Sequence, residues 1–310
     1  MNIIIPGLIL PKEMNIKSFD MIQTYAPYLY EFINTSYAKS NFSNSTEENG
    51  CTAFEKWKLK SCGFENEKNQ LFSSGLGPFL AKTEPNDPYP VWLLELIHLD
   101  VGINGATISN PKIEKLDSRE SISLLESILP IIRKSEFKIE FISPERWRLF
   151  PPYNIDIESF SPKSITGKNI NNFLDYKPKL SNWRKLLNEI QIMWNKHDVN
   201  INRLNNGLDT INSLWLYGGA MSWNFKKYEG IILDDLENIE IYDNIELWIN
   251  KLANIDLSVK SHLFSKNNKK KKDITLTIFG TDISIEISVP NIFKRIIYGY
   301  GRKNKWQYYL

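Results

Sequence analysis

Helix-spaced and strand-alternating segments follow one another along this chain, and that interleaving constrains its fold more than any other feature. Asn2 to Ile5 reads as a buried strand, and Ile22, Tyr25, Tyr28, Leu29, Phe32 and Ile33 keep helical spacing within Ser18 to Ser36. The polar run over 37–52 reads as a loop, with a further helical piece from Ala53 to Lys60. Val91 to Val101 and Ala106 to Ser109 flank Ile103-Asn-Gly105, a hairpin signal. Asp117 can cap a helix reaching about Lys134 and interrupted near Pro130; Phe137 to Ile142 and Arg146 to Phe150 form a second hairpin pattern. Ser181 then opens a helix whose stripe is Trp183, Leu186, Leu187, Ile190, Met193 and Trp194, and Thr210 to Tyr217 alternates into a strand stopped by Gly218-Gly219. Gly230 to Leu233 runs into Asp234-Asp235, a helix is expected over Ile239 to Leu252, and Ile274 to Phe279 with Ile283 to Val289 closes the series as a hairpin. This order predicts an α/β fold, a mainly parallel sheet with helices on both faces plus added β-hairpins. With no repeat and no clean linker, one domain over 1–310 is expected, with a hairpin-rich subregion at about 91–152 and a terminal hairpin and tail at about 273–310.

Composition narrows the classes of function. A chain of 310 residues with 42% hydrophobic content can bury a sizeable core. Thirty-eight basic against 36 acidic residues leave a net charge of +2, which disfavours a dedicated nucleic-acid binder. The longest apolar window, Val91 to Val101, is broken by Glu95, His98 and Asp100, so no membrane span and no membrane partner are expected. The start, Met-Asn-Ile-Ile-Ile-Pro-Gly, lacks a basic leader, so a cytoplasmic protein is expected. Cys51 and Cys62 then read as reduced thiols, and nothing completes a zinc set. The wealth of Asn, Ile and Lys reads as codon bias, so single residues of these types carry little functional signal.

No phosphate-binding Gly-Lys-Ser/Thr loop, nucleophile elbow, His-Glu-x-x-His or dinucleotide fingerprint occurs in the chain. Three histidines, His98, His197 and His262, each stand alone, which is too few for a histidine-rich two-metal site. One stretch is different. His197-Asp-Val-Asn-Ile-Asn-Arg203 places an imidazole, the Asn200 amide and a guanidinium together, and Asn212-Ser-Leu-Trp-Leu-Tyr-Gly-Gly219 follows. Arg203 offers a fork to phosphate or carboxylate, Gly218 and Gly219 let backbone amides approach an anion, and a helix carboxyl end at His197 would favour its protonated form. The competing reading is a capped helix that packs His197 and Trp215 into the core, with the glycines serving only a turn.

The block from Leu187 to Arg203 with Asn212 to Gly219 resembles the RpfE-type regulatory family, proteins often labelled cofactor-independent phosphoglycerate mutase. Pro144-Glu-Arg-Trp147, Ile165-Thr-Gly-Lys-Asn-Ile170, Ile97-His-Leu99 and the opening Ile-Pro-Gly-Leu fit the same family. The block also looks like archaeal-type phosphoglycerate mutases of the alkaline phosphatase superfamily. That resemblance implies an alkaline phosphatase-like fold and a ligand-binding group of His197, Asn200, Arg203, Asn212, Trp215, Gly218 and Gly219. The mutases also carry a metal-binding Asp-Gly after their first strand, where this chain has Pro6-Gly7, and a nucleophilic Ser with Asp and His ligands towards the carboxyl end, where after Asp235 only His262 is available. The expected function is therefore a non-catalytic binding or regulatory protein with no metal, no cofactor and no assigned catalytic residue, taking a small phosphorylated or carboxylated ligand; its protein partner is not given. The alternative is an active phosphotransferase that uses Arg203, His197 and carboxylates such as Asp234 at an unrecognised metal site. A third, weaker reading assigns polyanion contacts to the Lys266 to Lys272 run and the Gly301-Arg-Lys-Asn-Lys305 tail.

Overall fold

The computed structural model describes residues 1–10, 15–42, 45–103, 105–108, 113–174, 180–237, 239, 244–265, 271 and 273–289. The Lys266 to Lys272 run, apart from Lys271, and the tail from 290 onwards lie outside them. The chain divides into two compact units, residues 1–45 with 228–310 and residues 46–227, where a single domain was expected. The mixed α/β class stands; the mainly parallel sheet does not.

In the first unit, strand β1 (Asn2–Pro6) leads to helices α1 (Asn15–Tyr25) and α2 (Pro27–Asn34) and strand β2 (Tyr37–Phe42). One helix was expected over Ser18 to Ser36. It breaks at Ala26 because Pro27 opens the second helix, a position where its missing N–H is harmless. The polar run expected to be a loop supplies β2, which pairs with a later strand along its whole length. The chain returns to this unit for β9 (Ile231–Ile232), α10 (Ile245–Leu263), β10 (Thr275–Phe279) and β11 (Ile283–Ser288). The five-stranded order is β2-β11-β10-β1-β9, with β1 parallel to β10 and β9 and the remaining pairs antiparallel. Ile3, Ile5, Leu276, Ile278 and Ile285 from the sheet pack with Leu29, Phe32, Ile33, Trp248, Leu252 and Val259 from the helices. Buried Asp256 on α10 accepts from the backbone N–H groups of Tyr28 and Leu29, so it occupies the orphan donors at the start of α2.

The second unit contains α3 (Thr46–Asn49), α4 (Ala53–Ser61), α5 (Leu76–Ala81), β3 (Val91–Ile97), the hairpin β4 (Leu99–Gly102) and β5 (Gly105–Ile108), and α6 (Ser118–Lys134). It continues through the hairpin β6 (Lys138–Ser143) and β7 (Arg146–Phe150), α7 (Pro162–Ile165), α8 (Ser181–Trp194), α9 (Asp198–Asn205) and β8 (Ser213–Ala220). Its four-stranded sheet, β6-β7-β3-β8, is antiparallel throughout. Short links such as Pro144-Glu145 force neighbours to run in opposite directions, whereas only a long crossover makes them parallel; a bare alternation of helix and strand patterns does not separate the two. Asp117 caps α6 by accepting from Arg119 and Glu120 N–H groups, and α6 passes Pro130 without ending.

Sheet alternation divides this unit's core. Trp92, Leu94, Leu96, Trp147, Leu149 and Leu214 face α6 and α8, where Leu124, Ile128, Leu186, Ile190 and Trp194 meet them. Val91, Leu93, Ile97, Trp215 and Tyr217 point the other way, towards Leu59, Leu76 and Phe160. Glu95 belongs to this second face, and the candidate site lies there.

Candidate functional site

The residues expected to clamp an anion are used to hold the fold together. His197 is the N-cap of α9 and not the carboxyl end of α8: its Nδ1 accepts from the Val199 N–H at 3.2 Å. Asn200 is fully buried. Its Nδ2 donates to the Trp194 and Ile211 carbonyls, both at 2.8 Å, and its Oδ1 accepts from Ile211 N–H at 2.7 Å, tying α9 to the entry of β8. Arg203 is 1% exposed and spends its fork inside the protein, with Nε to Asp209 O at 2.7 Å, Nη1 to Glu120 Oε2 at 2.8 Å and Nη2 to Glu114 O at 2.7 Å. Asn212 imitates a strand residue: its Oδ1 accepts from Leu99 N–H and its Nδ2 donates to Leu99 O, which docks the start of β4. Trp215 donates to Phe160 O at 2.7 Å.

The glycine pair is likewise structural, and it lies within β8 instead of ending it. Gly218 has φ +95°, its N–H and carbonyl are both taken by Ser159 Oγ, and a Cβ there would stand 2.7 Å from Val91 O. Gly219 has φ +105°, and a Cβ would meet the Trp92 indole at 2.5 Å. The pair accommodates a bulge opposite Val91 and Trp92 where two strands and α5 crowd together. Among these residues His197 Nδ1, the Asn200 and Asn212 amides, the Arg203 guanidinium and the Trp215 indole meet backbone groups or Glu120, and the Gly218 N–H and carbonyl meet Ser159.

The end of β1 shows the same economy. Gly7 N–H donates to Phe279 O, and the Trp248 indole donates to Gly7 O. Asp235 pairs with Lys251 at 3.5 Å on the surface. His98 caps the end of β3, with Nδ1 2.8 Å from Thr210 O and Nε2 3.1 Å from Asp100 Oδ1, and His262 lies in the last turn of α10. Among the described residues no group of three or more His, Cys, Asp and Glu side chains is placed to hold a metal ion. Cys51 and Cys62 are both free thiols, and burial pushes each thiol pKa up, most strongly at Cys51.

A different cluster concentrates ionisable groups in the second unit. Glu95 on β3 lies opposite Arg146 on β7, and Tyr217 on β8 is its diagonal neighbour on the same sheet face. Arg146 donates from Nε to Glu95 Oε2 at 2.8 Å and from Nη2 to Glu95 Oε1 at 2.8 Å, a bidentate pair, and Nε also reaches Tyr217 Oη at 2.9 Å. Tyr217 Oη donates to Glu95 Oε2 at 2.6 Å. Burial alone would lower the Arg146 pKa, but the Tyr217 and Glu95 oxygens raise it above the ordinary arginine value. Burial pushes the Tyr217 phenol well above its ordinary value, against the lowering pull of Arg146, so it remains the donor. Two residues along β7, Arg148 makes a second fork to Asp87 at 2.6 and 2.9 Å and lies over the Phe150 ring, while its Nε is buried with no partner among the described residues. That hydrogen-bonded fork holds the Asp87 carboxyl below the usual range despite partial burial.

This arrangement keeps Arg146 charged, oriented and supported from behind. Its side chain is 21% exposed, and its Nη1 has no partner among the described residues. Chemically the group can offer N–H donors to an anionic oxygen. Sequence reasoning missed all three members, although the signal was present: Glu95 is a carboxylate inside a strand buried at every position, and such a group requires a partner.

No family model matches the chain, and no curated protein matches it. Among solved structures, the chain is similar to a cofactor-independent phosphoglycerate mutase from Thermoplasma acidophilum DSM 1728, with a TM-score of 0.35 and 13% identity over 94% of this chain and 90% of that one. It is also similar to the PH0037 protein from Pyrococcus horikoshii, with a TM-score of 0.45 and 9% identity over 93% of this chain and 86% of that one. Neither likeness, at those scores, fixes a family or a reaction.

Proposed function

We propose that this chain acts by binding and not by turnover: a regulatory or binding protein of the RpfE type, alkaline phosphatase-like in fold and cytoplasmic, that takes a small phosphorylated or carboxylated ligand at Arg146. The observation that carries the reading is the state of that guanidinium, fixed on one side by Glu95 and Tyr217 and with Nη1 facing no protein partner among the described residues. Pre-oriented N–H donors bind an anionic oxygen at little further ordering cost. The commitment of His197 Nδ1, the Asn200 amide and the Arg203 guanidinium to backbone groups and Glu120 supports binding over mutase chemistry at those three residues.

The test is calorimetric titration of the full chain with inorganic phosphate and with 3-phosphoglycerate. Binding that is lost in Arg146→Lys, with the circular dichroism spectrum unchanged, is the expected result, because an ammonium cannot keep both Glu95 oxygens and still present a donor outward. Absence of binding to either anion removes the ligand assignment. Manganese-dependent conversion of 3-phosphoglycerate to 2-phosphoglycerate, abolished by chelator, removes the non-catalytic reading.

A further inference from the structure

The antiparallel sheet of the second unit ends on one side in β6, and that edge is open. β6 pairs with β7 alone, and among the described residues no backbone hydrogen bond reaches it from anywhere else. β8, at the opposite edge, is mostly buried, and Ser159 Oγ occupies both the N–H and the carbonyl of Gly218 there. The direction of the β6 backbone groups follows from the ladder. Leu96 N–H donates to Glu145 O, so Glu145, Trp147 and Leu149 make the bonds from β7 to β3, and Arg146, Arg148 and Phe150 direct theirs to β6. Lys138, opposite Phe150, and Glu140, opposite Arg148, therefore bond to β7, and the N–H and C=O groups of Ile139 and Phe141 point out of the sheet edge. Side chains alternate between the two faces. Lys138 and Glu140 are exposed on one, while Ile139 and Phe141 are half-buried on the other, packed against the core that α6 helps to form. Neither Lys138 nor Glu140 has an ion-pair partner within 4 Å among the described residues. A register shift between Phe141 and Ser143 ends the regular run.

We propose that β6 pairs antiparallel with β6 of a second copy of this chain, with Ile139 opposite Ile139 of that copy on a twofold axis. Outward N–H and C=O groups at alternate residues accept any extended strand; the charges single out this one. An antiparallel twofold pairing centred on Ile139 sets Lys138 opposite Glu140 of the second copy and Glu140 opposite its Lys138. Both of these pairs fall at positions that exchange no backbone bonds across the new junction, where opposed side chains stand closest. Sliding the pairing so that Ile139 faces Phe141 sets Glu140 against Glu140 of the copy, a like-charge contact, so charge fixes the register as well as the partner. In the complementary register the outward groups of Ile139 are satisfied by those of its own twin, and the half-buried Ile139 side chains meet on the α6 face of the sheet. The two four-stranded sheets then run on as one. Nothing in this pairing requires a ligand at Arg146.

The experiment is sedimentation equilibrium of the full chain over a series of protein concentrations, with hydrogen exchange read on the same samples. A monomer–dimer equilibrium is expected, weaker as salt rises, and exchange over residues 138–141 is expected to slow as protein concentration increases. Lys138→Glu sets two carboxylates against each other at both ends of the pairing and is expected to weaken the dimer at least tenfold, with an unchanged circular dichroism spectrum. Lys138→Glu combined with Glu140→Lys reverses both charges, restores opposite signs across the junction, and is expected to return the dimer to within threefold of wild type. Ile139→Pro removes an outward N–H and is expected to abolish the dimer; because proline can also harm the fold, the charge reversal and its rescue decide the matter. A monomer at every concentration overturns the proposal, whatever other strand might pair with the edge. So does a dimer that Lys138→Glu leaves intact, one that the double reversal fails to restore, or exchange over 138–141 that does not change with concentration.

Discussion

Replacing Arg203 by Met separates a structural guanidinium from a ligand clamp. The substitution keeps most of the side-chain volume but removes three hydrogen bonds, to Asp209 O, Glu120 Oε2 and Glu114 O, at a site only 1% exposed. Glu120 is 26% exposed on its side chain and can turn partly to water, so its loss is softened; the two carbonyls lose a charged donor in a buried place. Breaking a buried ionic pair costs about 3–5 kcal/mol, and that range applies here. For a unit of this size the same cost lowers the thermal midpoint by about 6–20 °C. Arg203→Lys keeps the charge but reaches one partner instead of three, and a loss of about 3 kcal/mol follows from two missing charged hydrogen bonds at the low end of their range. Tryptophan fluorescence suits the measurement, because Trp57, Trp92, Trp147, Trp183, Trp194, Trp215 and Trp223 all lie in the second unit, seven of the chain's nine. Urea titrations should show a lower midpoint with an unchanged slope. A variant with the wild-type midpoint and lost affinity for phosphate would refute the structural assignment and restore Arg203 as an anion ligand.

Tyr217→Phe removes the phenol that bridges Glu95 and Arg146 while the bidentate pair stays in place, so a destabilisation of about 1–2 kcal/mol is expected, smaller than the loss for Glu95→Leu, which strands the Arg146 charge; urea midpoints of the two variants check the order. Asp87 has a carboxyl pKa lowered by Arg148 in the fold, so its contribution is fully present above the unfolded value near pH 4 and lost as pH falls through the lower folded value. Asp87→Asn should therefore flatten the acid limb of a stability profile and leave the profile above pH 6 parallel to wild type; an unchanged acid limb counts against the pair. Cys62, half-buried, should react with a thiol reagent at pH 8 well before Cys51, whose thiol is both covered and driven further up in pKa; simultaneous labelling of the two in the native protein would contradict the burial of Cys51.

Much of the local structure was legible because its determinants are local. Asp117 announces α6 through N–H groups two and three residues on, and the α8 stripe repeats every three or four residues. The Ile274 to Val289 hairpin needs only alternation and a turn. The failures share a different cause. Parallel against antiparallel pairing depends on which strands meet across long separations, so Asn2 facing Thr275 and Trp92 facing Gly218 are invisible to any short window. A polar sequence such as Tyr37–Phe42 becomes a strand because β11 offers it a ladder, a tertiary gain that outweighs weak propensity.

The same distinction explains the candidate site. His197, Asn200, Arg203 and Asn212 drew notice because donors crowd together in sequence, yet crowding says nothing about the direction in which each donor points. Arg203 turns inward because two of its partners, the Glu120 carboxylate in the first turn of α6 and the Glu114 carbonyl just before that helix, come from more than eighty residues earlier. Glu95 was the better guide because burial makes a demand on charge: a carboxylate within seven consecutive buried positions must be neutralised by something that the fold brings to it. Arg146 and Tyr217 answer that demand from two different strands, and both stand in segments that carried the family resemblance, Pro144-Glu-Arg-Trp147 and Asn212 to Gly219. A charged residue in an apolar strand thus points to a long-range partner more surely than a cluster of polar residues in a loop points to a ligand. Applied to this chain, that rule moves the binding hypothesis from the donors of α9, which the fold consumes, to the guanidinium of β7, which the fold holds in place and leaves partly open.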